Sequence, residues 1–190
     1  MRASYALALS IVTAWIAVAV ASGHSVWTDQ TSAGLKAFGA VDGTLFQTNA
    51  WWRLLAAQWL HVRAPHMLFN AGLVALAGSA LEPCIGAGRL LGLYLVGGSL
   101  GMLASVLAYP DLVSSGASQA ALALAGEMLV CQRPVSRPSA VWLAVAAATM
   151  VQLGLDVASD AHMVKAGHVA SLTFGMLAGA MLGRTGRRGG

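Results

Sequence analysis

SSGASQAALALAGEML, residues 114–129, is the stretch on which the reading of this chain turns. A small-residue turn puts Ser118 at the opening of an apolar helix, and no charge follows until Glu127. The first N–H groups of a helix have no intrahelical acceptor, and the helix dipole favours negative charge there. A serine at that position suits a nucleophile whose product is an oxyanion. The apolar run from Gly116 to Val130 is only about 15 residues long, whereas crossing a bilayer takes roughly 20. The helix is therefore expected to start inside the membrane depth, with residues 112–115 dipping in as irregular backbone. Such backbone is tolerated only where it is buried in protein or lines a wet cavity.

The rest of the chain supplies the membrane context. Of 190 residues, 57% are hydrophobic and 9% charged, with a mean hydropathy of +0.70. A soluble domain carries about 25% charged residues. Apolar runs predict an all-α membrane protein in a single domain over 1–190, with spans at 4–21, 66–81, 89–108, 116–130, 140–155 and 166–183. The first run also has a signal-peptide reading, with Ala17-Val18-Ala19 as a cleavage-like site. It exceeds the usual apolar core of about 7–15 residues, which favours a retained helix. Residues 23–50 form a polar loop, followed by an interfacial belt of Trp51, Trp52, Arg53 and Trp59.

Charge orients the spans. With the N-terminus inside, Arg2, Arg89, Arg133, Arg137, Arg184, Arg187 and Arg188 fall on the inner side, and Lys36, Arg53, Arg63 and Lys165 on the outer. That excess follows the positive-inside rule. Both termini are then cytoplasmic, and Asp29, Asp42, Asp111, Asp156 and Asp160 lie outside, Asp156 opening a polar loop that runs to Lys165. Because the basic residues sort to one membrane face, the net charge of +4 gives no reason to expect nucleic acid as a partner. Cys84 and Cys131 show neither metal nor disulfide spacing.

This topology brings four polar residues to one outer depth. Ser118 opens the fourth span, His168 the sixth, and His66 with Asn70 the second. Polar groups at such depth are costly and face the bundle interior. His66 and Asn70 are i and i+4, on one helix face. The sixth span carries a stripe of His168, Ser171, Gly175, Gly179 and Gly183, and the fourth a stripe of Ser118, Ala121 and Ala125. Small residues let helices approach closely, close enough for Ser118 Oγ to reach a ring nitrogen of His168 at about 2.6–3.2 Å. With no carboxylate or cysteine expected beside these histidines, no metal site is predicted.

Several motifs then fall into a known order. WWRLLAAQWLHVRAPHMLFNAGLVALAGSALE at 51–82, a G-x-x-R at Gly86 to Arg89, GAS at 116–118 and GHVASLTFG at 167–175 resemble the rhomboid intramembrane serine proteases. GAS alone is a weak signal. The H-x4-H-x3-N block at His61, His66 and Asn70 is stronger, and the full set in order is specific.

The resemblance implies a six-helix bundle with Ser118 as nucleophile and His168 as general base, a dyad without a carboxylate. It implies an oxyanion hole of His66, Asn70 and the Ser118 N–H, with Gly116 giving the supporting loop its freedom. Glu82 and Arg89 match the inner ends of the second and third spans, and His61 reads as a structural loop residue. It also implies transmembrane protein substrates in the lipid bilayer, a site open to the outer side of a bacterial inner membrane, and no cofactor. Three positions depart from the family pattern: Gln119 stands where a glycine is usual, Leu122 where an aromatic residue is usual, and Ser171 in place of a glycine. Gln119 and Leu122 motivate the alternative expectation of a catalytically impaired relative that binds membrane helices without cutting them. A small transporter is the third reading, and it lacks the paired broken helices that such folds use.

Overall fold

The computed structural model describes residues 1–131, 139–158 and 165–185, with side chains to Met181. His162, Asp160, Arg133 and Arg137 of the expected connections, and Arg187 and Arg188 of the tail, lie outside the described residues, as does the side chain of Arg184. The described residues are helical, with one isolated antiparallel bridge between Val41 and Ser114. The long elements are α1 (Ala3–Ala21), α5 (Ala64–Ile85), α6 (Ala87–Ala108), α7 (Ser118–Val130), α8 (Ala140–Ala158) and α9 (Ala166–Thr185). Between α1 and α5 lie the short helices α2 (Ser32–Ala37), α3 (Leu45–Thr48) and α4 (Arg53–Ala56), then a 3-10 turn at Ala57–Trp59. By length and composition α1, α5, α6 and α8 can each cross a membrane, while α7 is shorter.

α7 is the central element. Every residue from Ser118 to Met128 is buried, so it has no solvent or lipid face. Leu7, Ile11 and Trp15 of α1, Leu73, Val74 and Leu81 of α5, Leu90 and Tyr94 of α6, and Val145 of α8 share one apolar cluster with Ala121, Leu124, Ala125 and Met128 of α7. The expected α7 stripe of Ala121 and Ala125 therefore belongs to that cluster. The close approach to α9 runs instead through Ala123, Gly126 and Glu127: Gly175 meets the Ala123 backbone, Gly126 the backbone of Leu172 to Met176, and Gly179 the Glu127 backbone. Small residues occur on more than one face of α7, and periodicity alone could not say which face meets which neighbour.

Two polar arrangements close the end away from the site. The Glu82 carboxylate accepts from Ala3 N at 2.8 Å, Ser4 N at 3.0 Å and Ser4 Oγ at 2.8 Å, which caps the unpaired donors at the start of α1. The second span was expected to end at residue 81, yet α5 continues through Pro83 to Ile85. A proline leaves the carbonyl four residues back without its helical donor. Here that carbonyl, Ser79 O, accepts from Arg2 Nη1 at 3.0 Å, so the loss is replaced from another helix. Further along the bundle, Arg89 Nε lies 3.6 Å from the fully buried Glu127 carboxylate.

The α7–α9 contact gives a direct prediction. A Cβ at residue 175 would meet the Ala123 backbone, which cannot give way as a flexible side chain would. Gly175→Ala is expected to destabilise the protein by about 1–3 kcal/mol. Gly72→Ala, with nothing within 4 Å of the new methyl, should be neutral or slightly stabilising through helix propensity. Thermal unfolding of the two variants in detergent checks the contrast.

Candidate active site

The backbone of the loop between α6 and α7 finds its partners in the segment before α5. Ser114 exchanges both backbone hydrogen bonds with Val41, at 2.7 and 3.1 Å. Gly116 N donates to Ala57 O at 2.9 Å, and Ala117 N donates to His61 Nε2 at 3.1 Å. Gly116 takes φ +125°, a conformation that side-chain-bearing residues rarely adopt. The partner segment is itself tied down: Arg53 Nη1 donates to Lys36 O at 2.7 Å and Ala40 O at 2.9 Å, and the Arg53 guanidinium lies 4.9 Å from the Trp52 ring centre.

His61 is the clamp of this loop. Its Nδ1 faces Trp59 O at 3.3 Å, while Nε2 receives Ala117 N–H and lies 3.3 Å from Asn70 Nδ2. These partners require a neutral ring with the proton on Nδ1. Burial, and then the neighbouring His66 ring, pull the His61 imidazole down to about 3, against a weaker upward pull from Trp59 O.

Ser118, the first residue of α7, follows this clamp directly, and its backbone N–H has no intrahelical acceptor. Ser118 Oγ lies 2.8 Å from His168 Nε2 on α9. It lies equally within donating reach of Gln119 Oε1, at 3.0 Å. One hydroxyl proton thus has two competing acceptors. His168 is 2% exposed and Gln119 5%, so neither acceptor is diluted by solvent. A cavity of about 660 Å³ lies over the pair, lined by His66, Ser118, Gln119 and His168, by Ser105, Tyr109 and Asp111 to Ser115 around the loop, and by Ser32, Lys36, Val62 and Lys165.

Two expectations change here. Asn70 does not line the cavity; its amide is turned onto His61, so it supports the loop clamp rather than pointing at Ser118. His66 does line the cavity, and its Nε2 is buried with no hydrogen-bond partner among the described residues. An i, i+4 pair shares a helix face, but whether both side chains turn to the same neighbour depends on what stands beside each. The second change is a carboxylate. Asp156 was read as the start of an outer polar loop, with no acid near the histidines. Instead α8 runs on to Ala158, and Asp156 is 1% exposed with Oδ2 at 2.5 Å from His168 Nδ1. An aspartate at the end of an apolar run looks like a loop signal, and only the approach of α9 shows that it is buried.

The geometry sets a serine hydroxyl against an imidazole, with a histidine facing the same cavity whose Nε2 has no partner among the described residues. The family model described as "Rhomboid domain" matches residues 48–185, which include every one of these groups. The chain belongs to the rhomboid family. Over 151 residues it is 32% identical to the rhomboid protease GluP of Bacillus subtilis (strain 168), covering 78% of this chain and 29% of that protein. It is 39% identical over 100 residues to RHOMBOID-like protein 7 of Arabidopsis thaliana, covering 52% of this chain and 32% of the relative. It is also 31% identical over 85 residues to inactive RHOMBOID-like protein 8 of Arabidopsis thaliana, covering 45% and 24%. The chain thus spans about a third or less of the length of these relatives. As a rhomboid-family chain with long apolar helices, it is an integral membrane protein.

The His61 clamp makes the rhomboid loop sensitive to acid. The unfolded chain binds a proton at His61 below its ordinary value near 6.5, whereas the folded chain resists it down to about 3. The stability that neutral His61 contributes is complete above 6.5 and is lost as pH falls toward 3. Melting temperature in detergent should therefore drop between pH 7 and pH 4.5, and the drop should be smaller in His61→Gln, which carries no titrating group there.

Proposed function

We propose that this chain is an intramembrane serine endopeptidase that cuts peptide bonds in or beside transmembrane segments of other membrane proteins. The observation that carries the reading is the 2.8 Å contact of Ser118 Oγ with His168 Nε2 at the floor of the cavity. The bundle has six spans in one domain over 1–190, α7 and α9 joining the four long apolar helices. It sits in a bacterial plasma membrane with both termini cytoplasmic and the cavity opening outward. Its substrate is a membrane-embedded helix that unwinds locally to present a carbonyl over Ser118.

The chemistry follows from the atoms present. Ser118 Oγ attacks the carbonyl carbon, forming the Oγ–C bond as its proton passes to His168 Nε2. The carbonyl π pair moves to the oxygen. The developing oxyanion is met by the Ser118 N–H and by His66, whose Nε2 otherwise lacks a partner; such donors contribute about 3–4 kcal/mol each. Asn70 joins them only by leaving His61. Collapse breaks the C–N bond, and the Nε2 proton goes to the leaving amine. Water then attacks the acyl carbon, gives a proton to Nε2, and the acid leaves as Oγ regains its proton. No cofactor takes part in this sequence.

A second reading, a rhomboid-like pseudoprotease that holds membrane helices without cutting them, is favoured by one contact. Gln119 Oε1 at 3.0 Å competes with His168 for the Ser118 proton, and an inactive rhomboid-like protein is among the relatives.

Labelling by a fluorophosphonate probe and cleavage of a single-span reporter in membranes test both readings. Wild-type protein should label and cut. Ser118→Ala should do neither, and His168→Ala should lose about 10²–10⁴-fold in turnover while the protein still folds. Equal labelling of wild type and Ser118→Ala overturns the nucleophile, and a wild type that binds the reporter without cutting it selects the pseudoprotease. Gln119→Ala removes the competing acceptor and should raise the labelling rate about 2- to 10-fold, the span of one net hydrogen bond. A fall in rate would instead make Gln119 a donor to the reacting oxygen.

A further inference from the structure

We propose that Asp156 is a positioning residue that fixes the proton of His168 on Nδ1 and pairs the imidazolium formed when Nε2 takes the Ser118 proton. This rests on the hydrolase reading for its consequence in turnover, but not for the tautomer it assigns. The sequence resemblance implies a serine–histidine pair with no carboxylate, and none of the motifs that carry it includes Asp156.

The argument is geometric. Asp156 Oδ2 lies 2.5 Å from His168 Nδ1, and His168 Nε2 lies 2.8 Å from Ser118 Oγ, so the three side chains form one line from carboxylate to hydroxyl. Asp156 is 1% exposed and is the one charged residue of α8. A carboxylate is costly in such a place unless every lone pair finds a donor. Oδ2 also accepts from Lys165 N at 3.2 Å, and Oδ1 faces Lys165 Nζ at 3.4 Å. The acid therefore ties the start of α9 to the end of α8, and so aims the ring that α9 carries.

The tautomer follows. A carboxylate can only accept, so the ring nitrogen facing it must carry the proton. Nε2 is then an acceptor, which lets His168 compete with Gln119 for the Ser118 proton. When Oγ attacks, its proton moves to Nε2. Asp156 keeps its charge, takes no proton, and stands opposite the new positive charge in a site where water does not screen it. Oδ2 faces two donors, Nδ1 and Lys165 N, so an amide in its place turns its oxygen to them and keeps the tautomer but removes the charge that pairs the imidazolium, whereas a side chain with no acceptor there frees the ring proton to move to Nε2.

The test separates this role from the scaffold role of the same side chain. Asp156→Asn keeps an acceptor for Lys165 N and nearly the same shape, so its melting temperature should stay close to wild type. Turnover of the single-span reporter should fall about 10- to 100-fold, the difference between a charge-assisted and a neutral hydrogen bond to the imidazolium, with KM changed less than about threefold. Nitrogen-15 spectra of histidine-labelled protein, with His168 assigned by its loss in His168→Ala, should show Nδ1 protonated in wild type and in Asp156→Asn, and a share of Nε2-protonated ring in Asp156→Leu, which has no acceptor there. Full turnover in Asp156→Asn overturns the proposal, as does a His168 protonated on Nε2 in wild type. If wild type cuts nothing, the hydrolase reading fails, while the wild-type spectrum still decides the tautomer without requiring any variant of Asp156 to fold.

Discussion

The structure depends on satisfying the backbone donors of the loop that leads into α7. α7 is short and buried on every side, and the chain before it arrives as loop. Inside hydrocarbon an unpaired N–H costs several kcal/mol. Val41, Ala57 and His61 each supply an acceptor, and all three belong to the polar segment before α5. That segment is therefore a structural part of the site. Its own anchors, Arg53 on the carbonyls of Lys36 and Ala40 and Trp15 Nε1 on Val26 O at 3.0 Å, hold it against the bundle.

Close packing does the rest of the positioning. Gly126, Gly175 and Gly179 bring the backbones of α7 and α9 together, and Ser171 Oγ donates to Gly97 O at 2.9 Å to bring α9 against α6. Ser171 replaces a residue that is glycine in the family pattern, so the larger side chain is accommodated by a hydrogen bond to a backbone carbonyl. Gly101 leaves the room for it. A hydroxyl and an imidazole on separate helices meet at 2.8 Å because the helices carrying them are held at this spacing over several turns.

Charge is treated differently at the two ends of the bundle. Glu82, facing the start of α1, is joined by three hydrogen bonds and acts as a cap. Glu127 is fully buried and faces Arg89, and Asp156 is buried against His168 and Lys165. Only the last of these carboxylates touches a group that lines the cavity. The same physical cost, a charge taken out of water, is met by helix capping, by an ion pair and by an imidazole in turn.

The sequence by itself determined the long apolar helices, the abnormal shortness of the one that Ser118 opens, and the separate helices on which Ser118, His66 and His168 stand. Those features live in run length and composition, which are local. Small-residue stripes also indicated that α7 and α9 approach closely, but not which face of α7 is used, because that helix is small and buried on every side. Tertiary structure alone decided three things. Asn70 turns to His61 because His61 must be held to accept the Ala117 N–H. α5 passes through Pro83 because Arg2, far away in the chain, supplies the missing donor. Asp156 belongs to the site and not to a loop because α9 returns beside the end of α8. Each is a pairing between residues distant in sequence, and a polar side chain carries no local mark of which distant partner will satisfy it.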